Sequence, residues 1–157
     1  PVFEYLQDDA RLFGGEAGLH IHPHLIHWLH IESSVELVKG ERDNGEPLPL
    51  IPATSLTNTL RLEWDELGNF KDSFAFVTVK STFEQNDINE FETITPGYTL
   101  LNAGIGGEFS IKGKDFKLRL SGTNLLDKTY IAHLSRLKPD GIPNRGRNIS
   151  IGLQTSL

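Results

Sequence analysis

The sequence predicts an all-β fold, an antiparallel up-and-down meander of about seven long strands. Three observations carry this. Apolar and polar residues alternate with period two along most of the chain, almost nothing has the 3.6-residue period of a helix, and the connections alternate between short and long without exception. The expected strands are Arg11–His22, Ile26–Val38, Ser55–Asp65, Phe70–Phe83, Tyr98–Ile111, Phe116–Asn124 and Arg147–Leu157.

Taken in order, the first strand carries Gly14-Gly15 and ends at the short connection Pro23-His24-Leu25. In the second, Leu25, Leu29, Ile31, Val35 and Leu37 share a face with Ser33, opposite His30, Glu32, Ser34 and Glu36. The long stretch Lys39 to Thr54 follows, broken by Gly40, Gly45, Pro47, Pro49 and Pro52. Glu66-Leu67-Gly68-Asn69 joins the third strand to the fourth. There Phe74 and Phe76 face one way, Ala75, Val77 and Val79 the other, leaving the facing ambiguous. Glu84 to Gly97 is long again. In the fifth strand Leu101, Ala103, Ile105, Phe109 and Ile111 oppose Asn102, Gly104, Gly106, Glu108 and Ser110. Lys112-Gly113-Lys114-Asp115 is short and Asp127 to Gly146 long. In the last strand Ile149, Ile151, Leu153 and Leu157 oppose Asn148, Ser150, Gly152 and Gln154.

Typical strands run about 5–6 residues; these are closer to the 9–11 that a tilted membrane-spanning strand needs. Short turns at one end and long loops at the other are the pattern of outer-membrane barrels. A soluble meander has no reason to collect its long loops at one end. Trp28, Trp64, Phe70, Phe109 and Phe116 all fall near the short turns, as an interfacial aromatic girdle would, or as apolar plugging of a barrel end would. No apolar run approaches the roughly 18 residues of a membrane-crossing helix, and mean hydropathy is slightly negative. A membrane reading therefore rests on strands, whose polar face dilutes the apolar signal. The 157 residues include no Cys and no Met, and the formal net charge is -6. The first excludes disulfides and thiolate chemistry. The interspersed acidic balance argues against a nucleic-acid partner, which calls for a basic patch. No signal peptide is visible, and an opening in mid-pattern on Pro1 reads as a piece of something longer, with removal of an initiator Met as the alternative.

Four segments carry a family resemblance. Asp9-Ala10-Arg11-Leu12-Phe13-Gly14-Gly15-Glu16 is similar to a strand-opening motif, and Glu46-Pro47-Leu48-Pro49-Leu50-Ile51-Pro52 to a loop motif, with Ala53 where a second Pro is usual. Asn89 to Leu101, including Thr95-Pro96-Gly97-Tyr98-Thr99-Leu100-Leu101, is similar to a loop-to-strand segment. Asn124-Leu125-Leu126-Asp127-Lys128-Thr129-Tyr130, His133-Leu134-Ser135-Arg136-Leu137 and Ile142 to Asn148 are similar to a closing pattern. In this order they resemble the C-terminal barrel strands of TonB-dependent outer-membrane receptors. The resemblance implies a larger, about 22-stranded transmembrane β-barrel, of which residues 1–157 would be the C-terminal segment without its plug and earlier strands. It also implies energised import of a scarce ligand (an iron siderophore, haem or a metal ion). The implied partners are the rest of the barrel and plug, the TonB complex and outer-membrane lipid. Leu157 departs from the pattern, whose last residue is usually aromatic.

Five of the six histidines lie between residues 20 and 30: His20, His22, His24, His27 and His30. Imidazole is a common ligand of transition metals. Parity limits the geometry: if His20, His22 and His30 share the lumen face, the turn holds an odd number of residues, three or five. His24 then sits in the turn, His27 points outward, and at most three rings converge. A His-rich polar lining is the plainer alternative, so no metal site is assigned. Arg145 and Arg147 are candidates for an anionic ligand or lipopolysaccharide, or for a loop network. No nucleophile elbow, HExxH or paired-carboxylate pattern points to an enzyme, no cofactor is expected, and Gly104-Ile105-Gly106-Gly107 lies inside a strand, where it eases curvature. The competing reading is a small soluble antiparallel barrel that binds an apolar ligand or a metal, with Leu101, Ile105, Ile149 and Ile151 facing inward.

Overall fold

In the computed structural model, which describes residues 8–155, the chain forms one seven-stranded sheet. Its strands are β1 (Ala10–Ile21), β2 (Leu29–Arg42), β3 (Ser55–Leu67), β4 (Phe70–Thr82), β5 (Tyr98–Ile111), β6 (Lys114–Thr123) and β7 (Asn148–Thr155). They lie side by side in sequence order, and every neighbouring pair is antiparallel. Leu157 lies outside the described residues.

The expected elements are all present, with boundaries shifted at several ends. β2 starts at Leu29 rather than Ile26 and continues to Arg42. Two successive turns displace its start: Ile26 N donates to Pro23 O and Leu29 N to Ile26 O, both at 3.0 Å. Leu25, placed by the sequence in the connection but grouped with the apolar face of the second strand, stands in this turn and is 96% exposed. The connection therefore covers residues 22–28, longer than the three or five expected but still odd, so the parity holds. β6 starts earlier than expected, at Lys114, because Lys112 and Gly113 alone make the turn. Both have positive φ, 50° and 79°, as a two-residue type I′ hairpin requires. Arg147 falls just ahead of β7, which opens at Asn148.

Register fixes the faces. Ile31 pairs with Leu60, Leu60 with Val77, Val77 with Ala103, Ile105 with Leu120, and Leu120 with Ile151. This row continues one apolar face across the sheet. The other face carries Glu32 beside Thr59, Thr59 beside Thr78, Thr78 beside Asn102, and Gly104 beside Ser121. The ambiguous Phe74 and Phe76 belong to this polar face. Between Lys71 and Phe74 the β4–β5 register shifts by a bulge, with Asp72 at φ 45°. Such a bulge re-aims the strand end, and the Phe70 ring meets Phe109 at 5.5 Å. Phe109 in turn meets Phe116 at 5.5 Å, giving a row of aromatic rings near the short turns.

No globular core forms among the described residues. Ile51 is the one buried hydrophobic residue among those described, whereas Ser55, Ser73, Gln85, Asn89, Thr95, Asn124 and His133 are buried polar ones. The apolar face is open: Ile105 is 55% exposed, Ile149 66% and Ile151 75%. Removing apolar area from water is worth about 25 cal/mol per Å², and soluble monomers rarely leave so extended a patch uncovered. β1 and β7 do not pair with each other, so the described residues do not close into a small barrel with these side chains inside.

Candidate functional site: the polar wall and its tied loops

At the short-turn end, β1 and β2 bring the predicted histidines together. His20 pairs directly with Glu32, and His22 follows on the same face, just past the end of β1. The rings of His22 and His30 stack at 4.3 Å, those of His20 and His30 at 5.3 Å. Nε2 of His20 lies 3.1 Å from Nδ1 of His30. On its other side His30 Nε2 stands 3.4 Å from Glu63 Oε2 of β3, and His22 Nε2 donates to the His27 carbonyl at 2.9 Å. His27 does not point outward as expected. It lies in the turn, where strand alternation does not apply, and its ring stands edge-on to His22 at 6.4 Å. No three His, Cys, Asp or Glu side chains among the described residues stand as a ready metal-ligand set.

Next to this cluster the polar wall carries an arginine–aromatic patch that sequence reading missed. The Phe74 and Phe76 rings are near parallel, 6.4 Å apart. They lie over Gly106 and Gly104, where an added Cβ would come within 2.6 Å of each ring. The Arg61 guanidinium sits 4.6 Å from the Phe74 centroid, and Arg119 approaches both rings at 5.9 and 6.0 Å. Arg61 also pairs with Glu63, which links the patch to the histidines. The available signal was the match of two aromatics on one strand to two glycines on the next.

At the opposite end the long loops are fastened to one another. Glu92 accepts the backbone N–H of Leu50 at 3.0 Å and that of Asn89 at 3.2 Å. His133 Nε2 stands 3.4 Å from Glu92 Oε1, off the line of a good hydrogen bond. Its Nδ1 faces Thr95 Oγ1 at 2.8 Å and Lys138 Nζ at 3.2 Å, and Lys138 also donates to the Thr93 carbonyl. An ammonium can only donate, so Nδ1 accepts and Nε2 carries the proton. Burial, then the Lys138 charge, pushes the His133 imidazole below its ordinary pKa. Burial alone would raise Glu92, but the N–H groups of Leu50 and Asn89, with His133 and Lys138, hold its carboxyl below the usual range. Gln85 adds a bond from Nε2 to the Ile51 carbonyl at 3.0 Å.

The two arginines belong to this loop framework. Arg147 N donates to Asp127 Oδ1 at 2.8 Å, and its guanidinium stands 3.8 Å from Oδ2. Arg145 is exposed, and its carbonyl accepts from Asn124 Nδ2 at 3.4 Å. Asn124, φ 49°, also exchanges bonds with Lys128 at 2.9 Å. Arg145 and Arg147 thus stand at the long-loop end, remote from His20, His22 and His30. The five predicted residues form no single site.

A polar wall with short turns at one end and tied loops at the other matches what comparison with known proteins finds. The structure named "Copper transporter OprC" superposes with a TM-score of 0.75 over 93% of this chain at 22% identity. A search of curated protein sequences found no match. The chain spans only 23% of the length of that structure, so the likeness is one of fold. The family model "TonB dependent receptor-like, beta-barrel" matches residues 2–125. The chain belongs to the TonB-dependent receptor β-barrel family, of whose barrel it forms a part.

Proposed function

We propose that this chain is the C-terminal part of an outer-membrane receptor that imports a scarce ligand with energy supplied through TonB. One observation carries the reading. The face that a soluble protein would bury is open, apolar and bordered by aromatic rings, while the opposite face is polar and histidine- and arginine-bearing. In a bilayer those faces exchange roles, apolar toward lipid and polar toward the lumen. The free edges of β1 and β7 would be closed by further strands of the same barrel, since an open edge in hydrocarbon leaves backbone groups unsatisfied. A plug, the TonB complex, outer-membrane lipid and the imported ligand complete the set of partners. The reading is of transport, not catalysis.

The ligand class is an iron siderophore, haem or a metal ion, and the likeness to a copper transporter puts metal ions among the first to test. The experiment is fractionation of the full-length parent with a heat-modifiable gel shift, followed by growth on each ligand class in TonB-positive and TonB-deficient cells. A parent in the outer membrane that shifts on heating and needs TonB for growth on one ligand supports the reading. A soluble, unshifted parent overturns it.

A further inference from the structure

The histidines of the polar wall are arranged with more order than a lining requires. A backbone carbonyl can only accept, so His22 Nε2 carries its proton toward His27 O and leaves Nδ1 unprotonated. A carboxylate likewise only accepts, so the Glu63 Oε2 that stands 3.4 Å from His30 Nε2 favours the proton on that nitrogen, which leaves Nδ1 as a lone pair facing His20 Nε2. A carboxylate behind the ring is a device that orients imidazoles around metals, and the carbonyl contact decides which His22 nitrogen stays free. The 3.1 Å between His20 Nε2 and His30 Nδ1 is close to the separation of about 3.3 Å between two nitrogens on one tetrahedral ion at about 2.05 Å. His20 can shift its own proton to Nδ1 and free Nε2 for the same ion.

The geometry points to a site for a divalent transition-metal cation of the imidazole-binding kind, zinc, copper or nickel, built from His20 and His30 with Glu63 behind them. His22 is the third ligand. Its ring is stacked on His30 rather than aimed at the shared point, so it has to rotate on binding. It can do so because it stands past the end of β1, beside the turn. Glu32, paired with His20 and exposed, is the nearest carboxylate on the same face. The coordination follows from these residues alone; its place on an import path, at the end away from the long loops, rests on the receptor reading.

The test is calorimetric titration of zinc into the full-length receptor, extracted from outer membranes in detergent and stripped with chelator, with cobalt absorption as a report on coordination. Saturable zinc binding is expected, with tetrahedral cobalt bands, and is lost in H20N/H30N. E63Q, which keeps all three rings, weakens it about 10–100-fold. H24A, a turn residue outside the cluster, leaves it unchanged. A wild-type receptor without saturable zinc binding, or binding that survives H20N/H30N in a receptor still showing its heat shift, overturns the site. If H20N/H30N does not fold, E63Q decides, and unaltered affinity there is equally fatal. Localisation is read separately: a soluble parent that binds zinc sinks the receptor reading but not the site, and an outer-membrane parent that ignores zinc does the reverse.

Discussion

Glu92 and His133 face each other at 3.4 Å, their side chains only 12% and 2% exposed, on two different long loops. Because Glu92 also takes the Leu50 N–H, one carboxylate joins three loops that are far apart in sequence. Replacing it as Glu92→Gln removes the charge that Leu50, Asn89 and His133 all address. Loss of a buried partner costs about 1–3 kcal/mol, and the loss should be local. Hydrogen exchange across residues 85–95 and 124–140 should speed up while the heat-modifiable gel shift of the full receptor stays put. Unchanged exchange in the loops would refute the fastening role.

The same pair makes the loops sensitive to acid. His133 titrates below its ordinary value of 6.5 in the folded protein, so unfolded loops bind protons more readily than folded ones. Loop stability is then full above about pH 6.5 and declines as pH falls from there through the folded value. Glu92, held below its ordinary 4.5, adds a second loss under that pH. Loop protection factors, corrected for the pH dependence of intrinsic amide exchange, should therefore fall between pH 7.5 and 5.5, and His133→Gln should flatten that upper part of the profile. A profile identical in the variant would show that another group is responsible.

Gly104 and Gly106 are the seats of Phe76 and Phe74. A Cβ there would also meet backbone carbonyls, Leu120 O at 3.0 Å and Leu118 O at 2.9 Å, which cannot turn aside as a side chain can. Gly104→Ala should destabilise the barrel by about 1–3 kcal/mol, measured as a lower midpoint of urea unfolding. Phe76→Leu in the same chain should recover part of the loss, and additive effects would mean that the ring is not the obstacle.

Opposite faces should respond oppositely to charge. Ile105→Lys on the apolar face should cost about 2–4 kcal/mol in a bilayer. Thr57→Lys, on the polar face of β3 across from Ser34, should change little. The comparison is made by unfolding the full receptor in lipid vesicles, and equal costs at the two positions would contradict the assigned facing.

The strands were legible because alternation reports directly which face each residue takes, and parity tied a shared face for His20, His22 and His30 to an odd connection, a condition that residues 22–28 meet. Three features were not legible, each for a physical reason. The late start of β2 depends on hydrogen bonds inside the Pro23–Leu29 turn, which period-two patterning does not encode. The facing of Phe74 and Phe76 was undecided because what settles it, a pair of glycines on β5, lies on another strand. The Glu92–His133 contact joins residues 41 apart in irregular loops, where no periodicity exists to read. Arg147 shows the converse: its alternative role in a loop network was open from the sequence, and the Asp127 contact is such a tie.

Each ladder in the sheet joins strands that are adjacent along the chain. Mechanically the sheet is a row of hinged slats, each held only by the two beside it. Damage to one hairpin should be felt by its neighbours and fade beyond them, much as in repeat proteins. Pairs of strands could be gained or lost over evolution without redesigning the rest. The fastening of the loops through Glu92 works against that modularity, since it couples hairpins that share no ladder.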